Sequence, residues 1–399
     1  MKNTTRFQLM AMMFLLYFIW GSWYGQMSKY MFNKDTLNAT GGQVGNAYAA
    51  FSIAMIIAPF FVGLIADRYF AAQKVLGILS LAGAVLLYVI TGITDADTFF
   101  WAILAYSITF APSMALTTSI AMQHVRDSEK DFPTIRVMGT VAWIVVSNII
   151  GYYGFGDSAM IFKLSMVAAA VLGIYSFFLP DTPPKPNVNT SFSSILGLDA
   201  LKLFKDRSFA IFFISSMLIC IPLSFYYAMA NPSLTDSGMT NVENKMSLGQ
   251  ASEVIFMLLI PFAFRRFGVK WMLVVGLIAW IVRFVGFGYG DVSSEWLLYL
   301  AILLHGVCYD FFFVTGQIYT DSKAGEKYRS SAQGLITIAT YGIGLGIGSW
   351  IAGFVADMYT VEGVKNWTAI WMVPAGIAAV VLVLFVLFFK DNKVRATAE

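Results

Sequence analysis

Twelve stretches of this chain run for about twenty predominantly apolar residues each. That is the length an α-helix rising 1.5 Å per residue needs to cross the hydrocarbon core of a bilayer. They fall near 7–32, 43–65, 73–93, 97–122, 134–154, 159–179, 208–234, 247–266, 269–289, 295–320, 331–357 and 367–389. Only 12% of the 399 residues are charged and 58% are hydrophobic, against roughly 25% charged in a water-soluble domain. Hydrocarbon offers backbone amides no partners, so segments of this kind cross it as helices with every bond made internally. The expectation is an all-α membrane protein with twelve transmembrane helices. Lys2 and Arg6 precede a long apolar run from Phe7 to about Phe32 with no small-residue cleavage pattern, which reads as a first membrane helix rather than a cleaved leader.

The polar stretch 181–207, rich in Pro, Asn and Ser, divides the spans into six and six. It predicts two six-helix halves, 1–180 and 208–399, joined by a linker whose ILGLDALKLFK segment suits a short amphipathic helix on the membrane surface. If both termini are cytoplasmic, nineteen of the 26 Lys and Arg residues lie on that side and five on the other. Basic residues concentrate on the cytoplasmic face of membrane proteins, so this orientation, in a bacterial inner membrane, is expected. The 6+6 pattern resembles major facilitator carriers, and GLIADRYFAAQK, with Gly63, Asp67 and Arg68, resembles a shortened form of that superfamily's loop motif.

Polar side chains inside the spans are the candidates for function, because charge in hydrocarbon persists mainly where a cavity or ion path needs it. Arg136, Thr140 and Trp143 share one helical face (i, i+4, i+7), and Ser224, Tyr227 and Asn231 repeat that spacing. Gln250 and Glu253 are three apart; His305 and Tyr309 are four apart, with Asp310 adjacent. Stripes of this kind at similar depth predict a polar pocket whose aromatic faces stack a flat ligand while amide, hydroxyl and carboxylate groups bind its edges. Competing readings stand beside this one. Arg136 can snorkel to the surface or form a purely structural ion pair with Asp310, and Trp143 and Tyr227 can be interfacial belt residues. Arg283, five residues before Gly288, is read as snorkelling.

Longer motifs narrow the class. DFPTIRVMGTVAWI (131–144), LGLDALKLFKD (196–206), QASEVIFMLLIPF (250–262), YDFFFVTG (309–316), RSSAQGLIT (329–337) and WGSWYGQMSKYMF (20–32) resemble the bacterial nucleoside:proton symporter family over nearly the whole chain. That resemblance implies a nucleoside bound midway between the halves, with proton-driven uptake by alternating access. It implies substrate-binding roles for Arg136, Thr140, Gln250, Glu253 and Asp310, and proton coupling through Asp310 or Glu253. Other positions depart from the family's pattern: Ser224 and Tyr227 stand where it has glutamine and asparagine, and His305 and Tyr309 where it has tyrosine and phenylalanine. The alternative is a major facilitator carrier of another small polar solute, such as a sugar or organic acid.

The remaining patterns exclude other chemistry. YGIGLGIGS (341–349) lacks the G-K-[ST] of a phosphate loop; its Gly342, Gly344, Gly346 and Gly348 suit close helix packing instead. Cys220 and Cys308 lie in apolar spans without a C-x-x-C partner, and two histidines are too few for a histidine-rich metal site. No cofactor, metal, enzymatic activity or nucleic-acid partner is expected. The expected partners are nucleoside, protons and membrane lipid, and the chain is expected to work as a monomer.

Overall fold

The computed structural model describes residues 3–61, 69–125, 128–184 and 198–390. Asp67 and Arg68 of the loop motif, and 185–197 of the linker, lie outside them. Among the described residues the regular structure is helical apart from one small hairpin: Thr360–Val361 pairs antiparallel with Val364–Lys365 across Glu362 and Gly363, both at positive φ. Among the described residues, nine helices are long and apolar enough to cross a membrane. A tenth, Met160–Ser176, is apolar but 17 residues long.

The chain forms two compact units, Met1–Thr190 with Asn241–Ser247, and Ser191–Thr240 with Leu248–Glu399. In the first, α1 (Asn3–Trp23) is followed by the short α2 (Met27–Phe32), α3 (Gly41–Phe61), α4 (Ala72–Ile90), α5 (Ala96–His124), α6 (Ser128–Tyr153) and α7 (Met160–Ser176). The expected first span 7–32 is thus bent at Tyr24–Gln26. Helix α1 packs on α6 and α7, α4 on α7 and α5, and α3 on α5. Residues 241–247 belong to this unit through polar bonds: Lys29 Nζ lies 2.9 Å from Glu243 Oε1, and the Asn148 amide donates to Ser247 Oγ at 3.1 Å. Asn244 Nδ2 donates in turn to Asn148 Oδ1 at 2.9 Å.

In the second unit the expected amphipathic segment is a 3₁₀ helix, Leu198–Lys205, that buries Ala200. It leads directly into α8 (Arg207–Asp236). Asp206 caps α8 by accepting from the backbone N–H of Ser208 and Phe209, and pairs with Lys323 Nζ at 2.5 Å. Burial pushes the Asp206 carboxyl up, but the Lys323 hydrogen bond, the two backbone donors and the Lys323 charge together hold it below the usual carboxylate range.

Two expected spans, 247–266 and 269–289, are one helical run, α9 (Val242–Tyr289), interrupted at Gly268, whose φ of 71° suits a residue without Cβ. The next run comprises α10 (Glu295–Tyr309), a π-helical turn Asp310–Val314, α11 (Thr315–Thr337) interrupted at Gly325, a second π-helical segment Ile338–Gly344, and α12 (Leu345–Met358). Helix α13 (Trp367–Phe388) follows. Helix α8 packs against α12, α13 and the second π segment. The expected glycine packing is realised there. A Cβ at Gly344 would sit 2.5 Å from Met217 O, and one at Gly348 would sit 2.7 Å from Ile221 Cα.

Candidate functional site

The candidate residues form two sets, one in each unit. In the first, α6 carries Arg136, Thr140 and Trp143, all partly buried. The Arg136 guanidinium carbon stands 4.2 Å from the centroid of the Tyr17 ring of α1, close enough for cation–π attraction. Gly139 leaves the room for this stack: a Cβ there would come within 2.7 Å of Arg136 Nη1 and 2.8 Å of Tyr17 Cδ2. The arginine therefore lies over an aromatic face within the helix pair. About two turns on, Trp143 meets Trp20 edge-on at 5.5 Å, and Trp20 stacks on Phe51. Tyr17 and Trp20 were not among the expected site residues, although Tyr17, Trp20 and Tyr24 share the i, i+3, i+7 face that would have marked them.

The second set gathers on α9 and α10. Gly306 brings these helices into backbone contact: a Cβ there would lie 2.6 Å from the Ser252 carbonyl and 2.7 Å from Glu253 N. The Ser252 hydroxyl accepts from Gly306 N at 3.0 Å. This contact sets Glu253 beside His305, with Oε2 3.9 Å from Nε2. His305 is buried, its ring 5.3 Å from Tyr226 and 5.6 Å from Tyr309. The Tyr309 hydroxyl is 2.6 Å from that of Tyr341, so a bond between hydroxyls links the residue preceding one π turn to the other π segment. π turns inside α-helices recur at functional sites.

Asp310 opens the first π turn. It is 0% exposed, and among the described residues neither carboxylate oxygen has a hydrogen-bond partner. Gln250 and Glu253 are partly buried one turn apart on α9, and Tyr227 is partly buried on α8 with its ring 5.6 Å from Tyr226. Asn231 is buried, and the Thr235 hydroxyl bonds its carbonyl at 2.9 Å.

The Ser224 hydroxyl donates to the carbonyls of Cys220 (3.0 Å) and Leu345 (2.9 Å), beneath Gly348. A hydroxyl carries one proton, and backbone acceptors take it. Arg283 does not snorkel. It is 0% exposed, because α9 continues past it to Tyr289 and surrounds it with Trp280, Phe287 and, from α8, Tyr226. The spacing W-x-x-R-F-x-x-F (280–287), aromatic on both sides of a charge, was the available signal.

The model of the family described as Nucleoside H+ symporter matches residues 1–394. The chain belongs to that family. Its members are transporters, and this chain is a membrane carrier rather than an enzyme. It is 42% identical to YegT of Escherichia coli (strain K12), provisionally named a nucleoside transporter, over 100% of this chain and 96% of YegT. It is 36% identical to the xanthosine permease of the same strain, covering 96% of each. The crystal structure of the nucleoside transporter NupG superimposes with a TM-score of 0.88 at 32% identity, covering 98% of this chain and 100% of that one.

Proposed function

We propose that this symporter takes up nucleosides with protons across a bacterial inner membrane, with both termini cytoplasmic. We read it as a monomeric, twelve-span carrier of major facilitator type whose six-helix halves are 1–180 and 208–399, joined by 181–207. The twelve-span reading takes the run interrupted at Gly268 as two spans and adds Gly41–Phe61 and Met160–Ser176 to the others. The family match over residues 1–394 carries the choice of nucleosides. Arg136, Thr140 and Trp143 in one unit, and Tyr227, Asn231, Gln250, Glu253, His305, Tyr309 and Asp310 in the other, are the substrate-binding groups. Arg136 and the carboxylates bind polar edges, and the rings supply stacking faces.

Asp310 is the first candidate for the coupled proton. A carboxyl without a hydrogen-bond donor inside a membrane is costly to keep charged, so picking up and releasing a proton there changes which conformation the carrier favours. Glu253, beside His305, is the second candidate. The test is uptake of a radiolabelled nucleoside panel into proteoliposomes with and without an imposed pH gradient. Wild type should concentrate nucleoside only with the gradient. Asp310→Asn or Glu253→Gln should lose accumulation yet keep equilibrium exchange. If the double variant still concentrates nucleoside, neither carboxylate carries the proton.

A further inference from the structure

Arg283 is a full positive charge with no exposure, in a membrane helix. Charge at such depth costs several kcal/mol, and a leucine or methionine would fill the space at less cost. Its contacts are specific. Nε donates to Ala301 O at 2.9 Å, and Nη1 lies 2.9 Å from His305 Nδ1 and 3.5 Å from Cys308 Sγ. The guanidinium carbon stands 3.7 Å from the centroid of the Tyr226 ring.

A guanidinium has donors and no acceptor. At 2.9 Å from Nη1, His305 Nδ1 must therefore be the acceptor and carry no proton. The imidazole is then neutral, with its single proton on Nε2, the nitrogen that faces Glu253 Oε2 at 3.9 Å. The His305–Glu253 contact is thus not an ion pair. At 3.9 Å it is also longer than a hydrogen bond, so Glu253 does not satisfy the Nε2–H. A fixed donor and a carboxylate acceptor stand side by side.

We propose that Arg283 is a positioning residue: it locks His305 in the Nε2–H tautomer, so that Nε2–H and the Glu253 carboxylate together read a substrate edge carrying both an acceptor and a donor. This rests on the nucleoside reading above. In a nucleoside that chemistry occurs twice, in the ribose hydroxyls and in the N–H/C=O edge of bases that carry one. Where the family pattern has tyrosine, a hydroxyl both donates and accepts; His305 held by Arg283 only donates, which narrows what the site accepts.

The decisive measurement is ¹⁵N NMR of the full-length protein in lipid with labelled histidine. The chain has two histidines, His124 and His305, so His305→Gln assigns the signals. His305 should be neutral with its proton on Nε2. Arg283→Met should mix or reverse the tautomers, and Arg283→Lys, which keeps a donor, should restore Nε2–H in part. In proteoliposomes Arg283→Met should raise KM by about tenfold, the worth of one hydrogen bond, with a smaller effect on kcat, and Arg283→Lys should recover part of it. Deoxyribonucleosides and base N-methylated nucleosides distinguish the two edges. Wild type should discriminate against one class, and Arg283→Met should lose that discrimination. A protonated or Nδ1–H His305 in wild type overturns the proposal, even if Arg283→Met fails to fold. So does an Arg283→Met protein with unchanged tautomer and KM, or a wild type indifferent to both analogue classes. If wild type moves no nucleoside at all, the function reading fails, and the wild-type spectrum still decides the Arg283–His305 pair.

Discussion

Gly306→Ala tests whether the backbone contact between α9 and α10 sets the geometry around Glu253. The added Cβ would lie 2.6 Å from the Ser252 carbonyl, and ordinary contact begins at 3.4 Å, about 0.8 Å further out. Both obstacles, the Ser252 carbonyl and Glu253 N, are backbone, so no rotamer change relieves them; the helices must part. Overpacking of this kind costs about 1–3 kcal/mol, and stretching the Gly306 N–Ser252 Oγ bond from its 3.0 Å forfeits up to about 1 kcal/mol more. Alanine returns at most about 1 kcal/mol of helix propensity, leaving a net loss of about 1–3 kcal/mol. The same displacement moves Glu253 away from His305, and misplacing a binding group by about 1 Å can cost as much as a hundredfold. We expect a lower unfolding temperature by tryptophan fluorescence in detergent and at least about tenfold weaker nucleoside binding by calorimetry. Gly376→Ala is the control. A Cβ there meets nothing within 4 Å, so it gains the propensity term without the clash and should unfold no earlier than wild type. If Gly306→Ala matches wild type in both assays, this contact does not set the Glu253–His305 spacing.

Three further outcomes follow from the same geometry. Arg136→Ala should abolish nucleoside uptake at unchanged protein level, and Arg136→Lys should not rescue it, because an ammonium lacks the planar face that stacks 4.2 Å from Tyr17; near-normal uptake by either would remove Arg136 from the site. Asp206, held below the ordinary carboxylate range by Lys323 and two backbone donors, contributes stability that is present above its unfolded pKa of about 3.9 and is lost as pH falls through its folded value; Asp206→Asn should therefore lose less thermal stability than wild type on acidification from pH 6 to pH 3.5, and parallel losses would contradict this. Lys29→Met leaves the buried Glu243 without its ammonium partner and should lower the unfolding temperature, whereas Lys29→Met/Glu243→Leu should recover most of the loss; a double variant no better than the single would show that the pair is not the source of the effect.

Apolar run length and loop composition carried the helical architecture, because a bilayer leaves a backbone few options. They missed what depends on single backbone angles and on neighbours remote in sequence. Gly268 and Gly325 interrupt helical runs that hydropathy divides by their charged residues, and the two π segments leave no mark on composition. The stripe rule singled out Arg136, Glu253 and Asp310 because charge in an apolar span stands out by itself. It did not foresee the Ser224 bonds, because a hydroxyl facing a pocket and one bonded to the carbonyls of Cys220 and Leu345 look alike in sequence.

Arg283 shows the limit of reasoning from depth alone. Distance from a span end favours snorkelling for a long basic side chain, but that argument treats the membrane as a uniform slab and ignores what stands beside the residue. Tyr226, Ala301, His305 and Cys308 all come from other helices, and together they give the guanidinium a ring face, a carbonyl, an imidazole nitrogen and a sulfur. These partners hold the cation in place, although its buried Nη2 has no hydrogen-bond partner among the described residues. Once it stays, its donors dictate which nitrogen of His305 bears the proton, and through His305 the hydrogen-bonding character of the surface beside Glu253. Changing Arg283 should therefore alter what the site recognises even though substrate need never touch it.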